Sequence, residues 1–199
     1  SSAVYGDVNV FPTLEENKKS PNSPYGLQKL CMEQFMSLYN KLYNIDCVAL
    51  RFANVYGPGA DGATQYSTAI ASWCKCISDK LPLRIDGDGT QTRDMIYVED
   101  VVSGLVSCAT REENFGFQAM NLGTITSISN NEIIKILQDK VENIATYNAP
   151  PRSGDVKRTC LSIIKIQKET DWSAKTSISE GIEKTLTWWK IPTKKIQNS

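Results

Sequence analysis

Tyr25 and Lys29 stand four residues apart in the stretch SPYGLQKL, residues 23–30. A phenol ionises near pH ~10 and is a poor base by itself, but an ammonium group held beside it stabilises the phenolate and lowers that value. Four residues is about one helical turn, so on a helix the two side chains project side by side. The same spacing also occurs on ordinary helix faces, where it marks only two polar residues in solvent. The chain contains no histidine, which removes every Ser-His or Cys-His nucleophile and the commonest general base. Acid–base work falls to another side chain, and this pair is the candidate.

The pair needs a helix to hold it. Ser23 suits an N-cap and Pro24 the first helical position, so a helix is predicted from there to about Tyr43. Leu27, Leu30, Cys31, Phe35, Leu38 and Leu42 recur at helical intervals and are expected to bury one face, with Tyr25 and Lys29 off that stripe. DCVALRFANVYG then reads as one nearly continuous apolar strand covered on both faces, ended by the turn GPG. A helix is predicted within TQYSTAIASWCKCISDK, a strand at LPLRI, a turn at DGDG, a strand at DMIYV and a helix at EDVVSGLVSCAT. FQAMNLG reads as a strand, and SNNEIIKILQDK as a helix whose Ser129 and Glu132 have capping-box spacing. Two more helices follow, near LSIIKIQKET and SISEGIEKTLTWWK. Strands alternate with helices throughout, which predicts an α/β architecture.

Composition narrows the function classes. Of 199 residues, 41% are apolar and 22% charged, and Lys plus Arg equals Asp plus Glu at 22 each. That is a folded soluble chain with no net field for a polyanion, so nucleic acid is not an expected partner. No apolar run approaches the roughly 18 residues a membrane span needs. The start lacks a signal peptide's basic and apolar regions, so a cytoplasmic protein is expected. Because the first residue is Ser, the sequence reads as a fragment or a processed product. Six scattered cysteines read as reduced, buried thiols, and Cys74-Lys75-Cys76 has no familiar zinc spacing, so no metal is expected. Gly57, Gly59 and Gly62 spell G-x-G-x-x-G, with Asp79 and Asp86 near the distance of a ribose-binding acid. Pro58 removes a backbone donor there, which argues against a pyrophosphate site. DGDGTQ fails as a calcium loop because Gln91 stands where glycine is required.

Three further segments join the Tyr–Lys helix: SSAVYG at the start, RFANVYGPG after the helix, then GDGTQTRDMIYVEDVV and PPRSGDVKR. In this order, over Ser1 to about Trp189, they resemble the extended short-chain dehydrogenase/reductase family, specifically its nucleotide-sugar epimerases and dehydratases. The resemblance implies a catalytic triad of Ser1, Tyr25 and Lys29, with Ser2 the next candidate for the hydroxyl and a substrate contact. It implies NAD as a bound, regenerated cofactor, contacted by Tyr25, Lys29 and Phe52. It also implies that Asn54, Arg93 and Arg152 hold a diphosphate and Asp155 a ribose. Guanidinium forks suit phosphate oxygens and a carboxylate suits sugar hydroxyls. Surface ion pairs are the plainer alternatives, Arg93 with Asp94 or Asp100 and Arg152 with Asp155.

The family's dehydratases carry an Asp-Glu pair where this chain has Ser2 and Ala3, so the resemblance favours an epimerase, a UDP-sugar 4-epimerase first. A dehydratase or decarboxylase of the family is an alternative, as is a nucleotide-sugar-binding subunit without turnover. The family's Gly-rich NAD turn lies before SSAVYG, so this chain is expected to bind NAD poorly alone. The expected fold is α/β: the C-terminal part of a Rossmann-like NAD-binding fold plus a small substrate-binding lobe. Residues 1–58 are expected in the dinucleotide-binding domain, with 93–110 returning to it, and 59–199 mainly in the substrate lobe. A homodimer, or association with a missing N-terminal half, is the expected assembly. Phe35, Met36, Leu38 and Tyr39 could serve that interface or the core.

Overall fold

The computed structural model describes residues 1–64, 67–152 and 156–194. A 3-10 turn at Ser2–Val4 precedes helix α1 (Pro24–Tyr43). Strand β1 (Cys47–Phe52) pairs in parallel with β6 (Phe117–Leu122), and β2 (Asn54–Tyr56) in parallel with β5 (Met95–Tyr97). A third parallel pair joins β3 (Leu83–Asp86) to β8 (Thr146–Ala149), while β4 (Thr92–Arg93) runs antiparallel to β7 (Ile128–Ser129). Helices α2 (Ala69–Ser78), α3 (Val98–Ala109), α4 (Asn130–Lys140), α5 (Ile164–Thr170) and α6 (Ile178–Trp188) complete the α/β architecture. The predicted capping box of α4 is formed: Ser129 Oγ accepts from Glu132 N at 3.2 Å, and the Glu132 carboxylate accepts from Ser129 N at 2.8 Å. Among the described residues no helix is long and apolar enough to cross a membrane.

Two expectations need correction. The strand predicted through DCVALRFANVYG is two strands, because the chain changes partner at Ala53. Ala53 N still donates to Leu122 O, whereas Asn54 N donates to Asp94 O. The apolar stripe predicted for α1 does not bury a face: Leu27, Phe35, Leu38 and Leu42 are exposed, and so is Tyr39, while the buried residues of the helix are Gly26 and Glu33. A carboxylate is buried there because Arg51 reaches it from β1. Apolar periodicity alone gives no signal of such a pairing.

The core has two parts. One gathers Tyr5, Ala53, Ile96, Met120, Leu122 and Trp172; the other Tyr56, Trp73, Tyr97, Ile133, Ile182 and Leu186. Strand β5 lies between them, buried on both faces, with Ile96 turned to the first part and Met95 and Tyr97 to the second. Asp94, fully buried just before β5, secures that wall. Its carboxylate accepts from Thr124 N (2.9 Å), Thr124 Oγ1 (2.7 Å) and Leu161 N (3.0 Å). Burial pushes its carboxyl above the ordinary carboxylate range, and these donors hold back part of the rise. Asp94→Ala leaves those amides unpaired in the interior and is expected to destabilise the fold by about 3 kcal/mol, measured by urea denaturation.

Candidate active site

The first turn of α1 sets the geometry. Ser23 Oγ accepts from Gly26 N at 3.1 Å with Pro24 as the first helical residue, so Tyr25 enters in the opening turn as the sequence predicts. Tyr25 is exposed, and the Lys29 ammonium lies 5.4 Å from its ring centroid. Gly26 faces the 3-10 turn instead: a Cβ there would stand 2.6 Å from the Ala3 carbonyl oxygen. Only a residue without a side chain lets the Ser1–Ala3 backbone lie directly on the helix. Ser1 Oγ accepts from Ala3 N at 3.3 Å, which caps the turn and fixes the serine close to α1.

These residues share one cavity of about 660 Å³, lined by Ser1, Ser2, Tyr25, Lys29, Phe52 and Asn54, with Met32, Met36 and Val48 as apolar wall. Arg93 and Arg152 line a second cavity of about 480 Å³. Asn54 and Thr68 line both, so the two adjoin where the chain changes partner after Ala53. Thr68 caps α2, whose N-terminal residues Ala69 and Ser72 face the second cavity. A helix N-terminus and arginines on one cavity suit an anion. Asp155 lies outside the described residues.

Among the described residues, Arg152 and Arg84 meet a carboxylate not expected of them, Asp86. Arg152 Nε pairs with Asp86 Oδ2 at 2.5 Å, and Arg84 Nε donates to Asp86 Oδ1 at 2.7 Å. Asp94 is occupied as described, and Asp100 accepts from Lys175 N and Thr176 N. Arg93 Nη1 donates to Thr92 O at 2.8 Å. Of the two acids near the G-x-G-x-x-G stretch, Asp86 serves the two arginines and Asp79 pairs with Lys75 one turn away.

Sequence reasoning missed Arg84, Asp86 in this role, and a buried polar group behind the first cavity. Arg51 is 3% exposed; its Nε and Nη2 donate to the two Glu33 oxygens at 2.9 and 2.7 Å. Its Nη1 donates to Tyr5 Oη at 2.8 Å and Glu15 O at 3.0 Å. Tyr5 Oη in turn donates to Asn121 Oδ1 at 2.6 Å. Burial pushes the Tyr5 phenol up to about 12, so it stays a neutral donor. One signal was available: an arginine inside a strand read as covered on both faces needs a buried partner.

The sequence model of the NAD dependent epimerase/dehydratase family matches residues 1–123. The UDP-glucuronate 4-epimerase of Thermodesulfobacterium geofontis is 32% identical over 194 residues, which is 96% of this chain and 57% of that protein. Among solved structures, the UDP-glucose 4-epimerase of Thermotoga maritima with UDP-glucose is 31% identical, with a TM-score of 0.86 over 95% of this chain and 60% of that one. The UDP-glucuronic acid 4-epimerase of Bacillus cereus, in complex with UDP-glucuronic acid and NAD, is 30% identical, with a TM-score of 0.86 over 96% and 59%. The chain spans 46–62% of the length of the curated relatives it matches.

The contact at Gly26 can be tested directly. Alanine is the better helix former by about 1 kcal/mol, yet Gly26→Ala is expected to lower stability by about 1–3 kcal/mol, because its methyl displaces the Ala3 carbonyl. A lower urea midpoint at unchanged m-value is the outcome expected.

Proposed function

The chain belongs to the NAD dependent epimerase/dehydratase family, and we propose that it carries the proton-transfer pair and the nucleotide-sugar grip of a UDP-sugar 4-epimerase. The observation behind this reading is that the Tyr25–Lys29 cavity adjoins the arginine cavity at Asn54 and Thr68. The donors of the first cavity suit a nicotinamide riboside beside a sugar. The Lys29 ammonium offers three donors to ribose hydroxyls, and Phe52 with the two methionines gives a flat ring an apolar wall. In the second cavity Arg84, Arg93 and Arg152 stand against Asp86, three positive groups to one negative among the described lining. Guanidinium groups gathered on one cavity suit the oxygens of a diphosphate diester, as in the UDP-sugars bound by the solved relatives. Asp155 is assigned the ribose hydroxyls of the nucleotide.

A bound NAD, held by Lys29 and walled by Phe52, would supply the hydride acceptor and donor for the sugar carbon. Tyr25 takes the proton of the sugar hydroxyl as that carbon is oxidised and gives it back on reduction. Lys29 stabilises negative charge on the Tyr25 oxygen between those transfers, and the Ser1 hydroxyl, with Ser2 beside it, donates to the sugar oxygen as it becomes a carbonyl. Dehydration would need a further acid and base near the sugar. Glu33 is the one carboxylate among the described residues lining that cavity, and both its oxygens are taken by Arg51. This favours epimerisation. We assign the core around Tyr5 and Met120 to the cofactor side and the core around Trp73 and Ile133 to the substrate lobe.

Calorimetry with UDP-glucose tests the grip: Arg93→Ala is expected to weaken binding about 10- to 100-fold. Tyr25→Phe is expected to leave that affinity within about twofold and to reduce epimerisation, with NAD supplied, by at least ~100-fold. Wild-type turnover by Tyr25→Phe sinks the reading.

A further inference from the structure

The geometry points to Arg51 and Glu33 as positioning residues of the reaction, a role resting on the reading of the site above. Neither lines the second cavity, and Arg51 does not line the first. What Arg51 touches is each segment that delivers Ser1, Tyr25, Lys29 and Phe52. Glu33 sits one helical turn after Lys29 and two after Tyr25, on the face of α1 opposite solvent. Tyr5 ends the turn that starts at Ser1, and its ring also lies under the guanidinium, 5.0 Å from centroid to Arg51 Cζ. Arg51 itself precedes Phe52 on β1.

One planar guanidinium therefore fixes the helix, the serine turn and the strand in relation to one another. Its donors leave at set angles, so the fork acts with the close contact at Gly26 to set the distance from Ser1 to Tyr25, while most apolar side chains of α1 are left exposed. The same fork has an electrostatic effect. Glu33 lines the first cavity, and engaging both its oxygens keeps that carboxylate from pairing with the Lys29 ammonium. Lys29 is left to serve Tyr25.

A buried pair can be removed from both sides at once, which separates positioning from stability. Arg51→Met should lower both the melting temperature and turnover, as it strands a buried carboxylate. Arg51→Met combined with Glu33→Leu leaves no stranded charge and should regain most of the melting temperature. Its kcat for UDP-glucose, with NAD supplied to the full chain, should remain down by about 100-fold, the scale of a 1 Å misplacement, with KM within about threefold. Hydrogen exchange gives a readout independent of turnover: amides of Ser2–Val4 and the first turns of α1 should exchange at least ~10-fold faster in the double variant, while β3 and α4 stay as in the wild type. A double variant with native kcat and native exchange overturns the proposal. If the double variant does not fold, Arg51→Lys decides: it keeps the charge but not the fork, and wild-type kcat in it is equally fatal. Tyr25→Phe in parallel distinguishes the two failures, because normal turnover there refutes the reading of the site, whereas inactivity there beside a fully active double variant refutes only the role of Arg51.

Discussion

The structure depends on one buried ion pair. Arg51 and Glu33 have side chains 3% and 10% exposed and meet through two parallel hydrogen bonds. Removing two charges from water costs several kcal/mol per ion, and attraction repays it only when the geometry is excellent and the remaining donors are satisfied. Here they are, by Tyr5 Oη and the Glu15 carbonyl. The second carboxylate nearby is also engaged, since Glu15 accepts from Asn121 N at 2.9 Å, and Asn121 Nδ2 donates to Thr13 O at 2.9 Å. A network this fully satisfied tolerates little displacement, because any shift leaves a charged or polar atom unpaired in a low-dielectric interior. Precision in α1 thus comes from polar geometry. Its apolar side chains contribute little to it.

The second constraint is the change of partner at Ala53. By passing to β5 after Ala53, the chain opens a seam between two parallel strand pairs. Ligands of open α/β sheets gather beyond the carboxyl ends of strands where neighbouring connections diverge, since no helix or loop fills the crevice there. Phe52 and Asn54 flank the seam, and Asn54 belongs to both cavities. Asp94 holds the far side by tying β5 to the segments around Thr124 and Leu161.

Much of this was legible in the residues. The start of α1 followed from Ser23 and Pro24, the capping box of α4 from Ser129 and Glu132, and the adjacency of Tyr25 and Lys29 from helical spacing. All are local, set by a few neighbouring residues and backbone donors. The errors were non-local. A hydrophobic run does not reveal where it changes partner, so β1 and β2 looked like one strand. Apolar spacing named the wrong buried face of α1, because the residue that decides burial, Arg51, lies 18 positions from Glu33. β8, in parallel with β3, escaped notice for the same reason: TYNA is exposed over three of its four residues and carries no apolar pattern.

Charge is distributed along the two cavities in a way that divides their work. The first presents one ammonium beside one phenol, with its only described carboxylate withdrawn by Arg51. The Lys29 ammonium is therefore left beside the Tyr25 ring, without a carboxylate drawing it away. The second gathers arginines that Asp86 holds apart from one another, bracing Arg84 and Arg152 through separate oxygens. Guanidinium groups crowded together repel, and a carboxylate between two of them lowers that repulsion while fixing their forks. Both arginines are thereby held on the same cavity as Arg93.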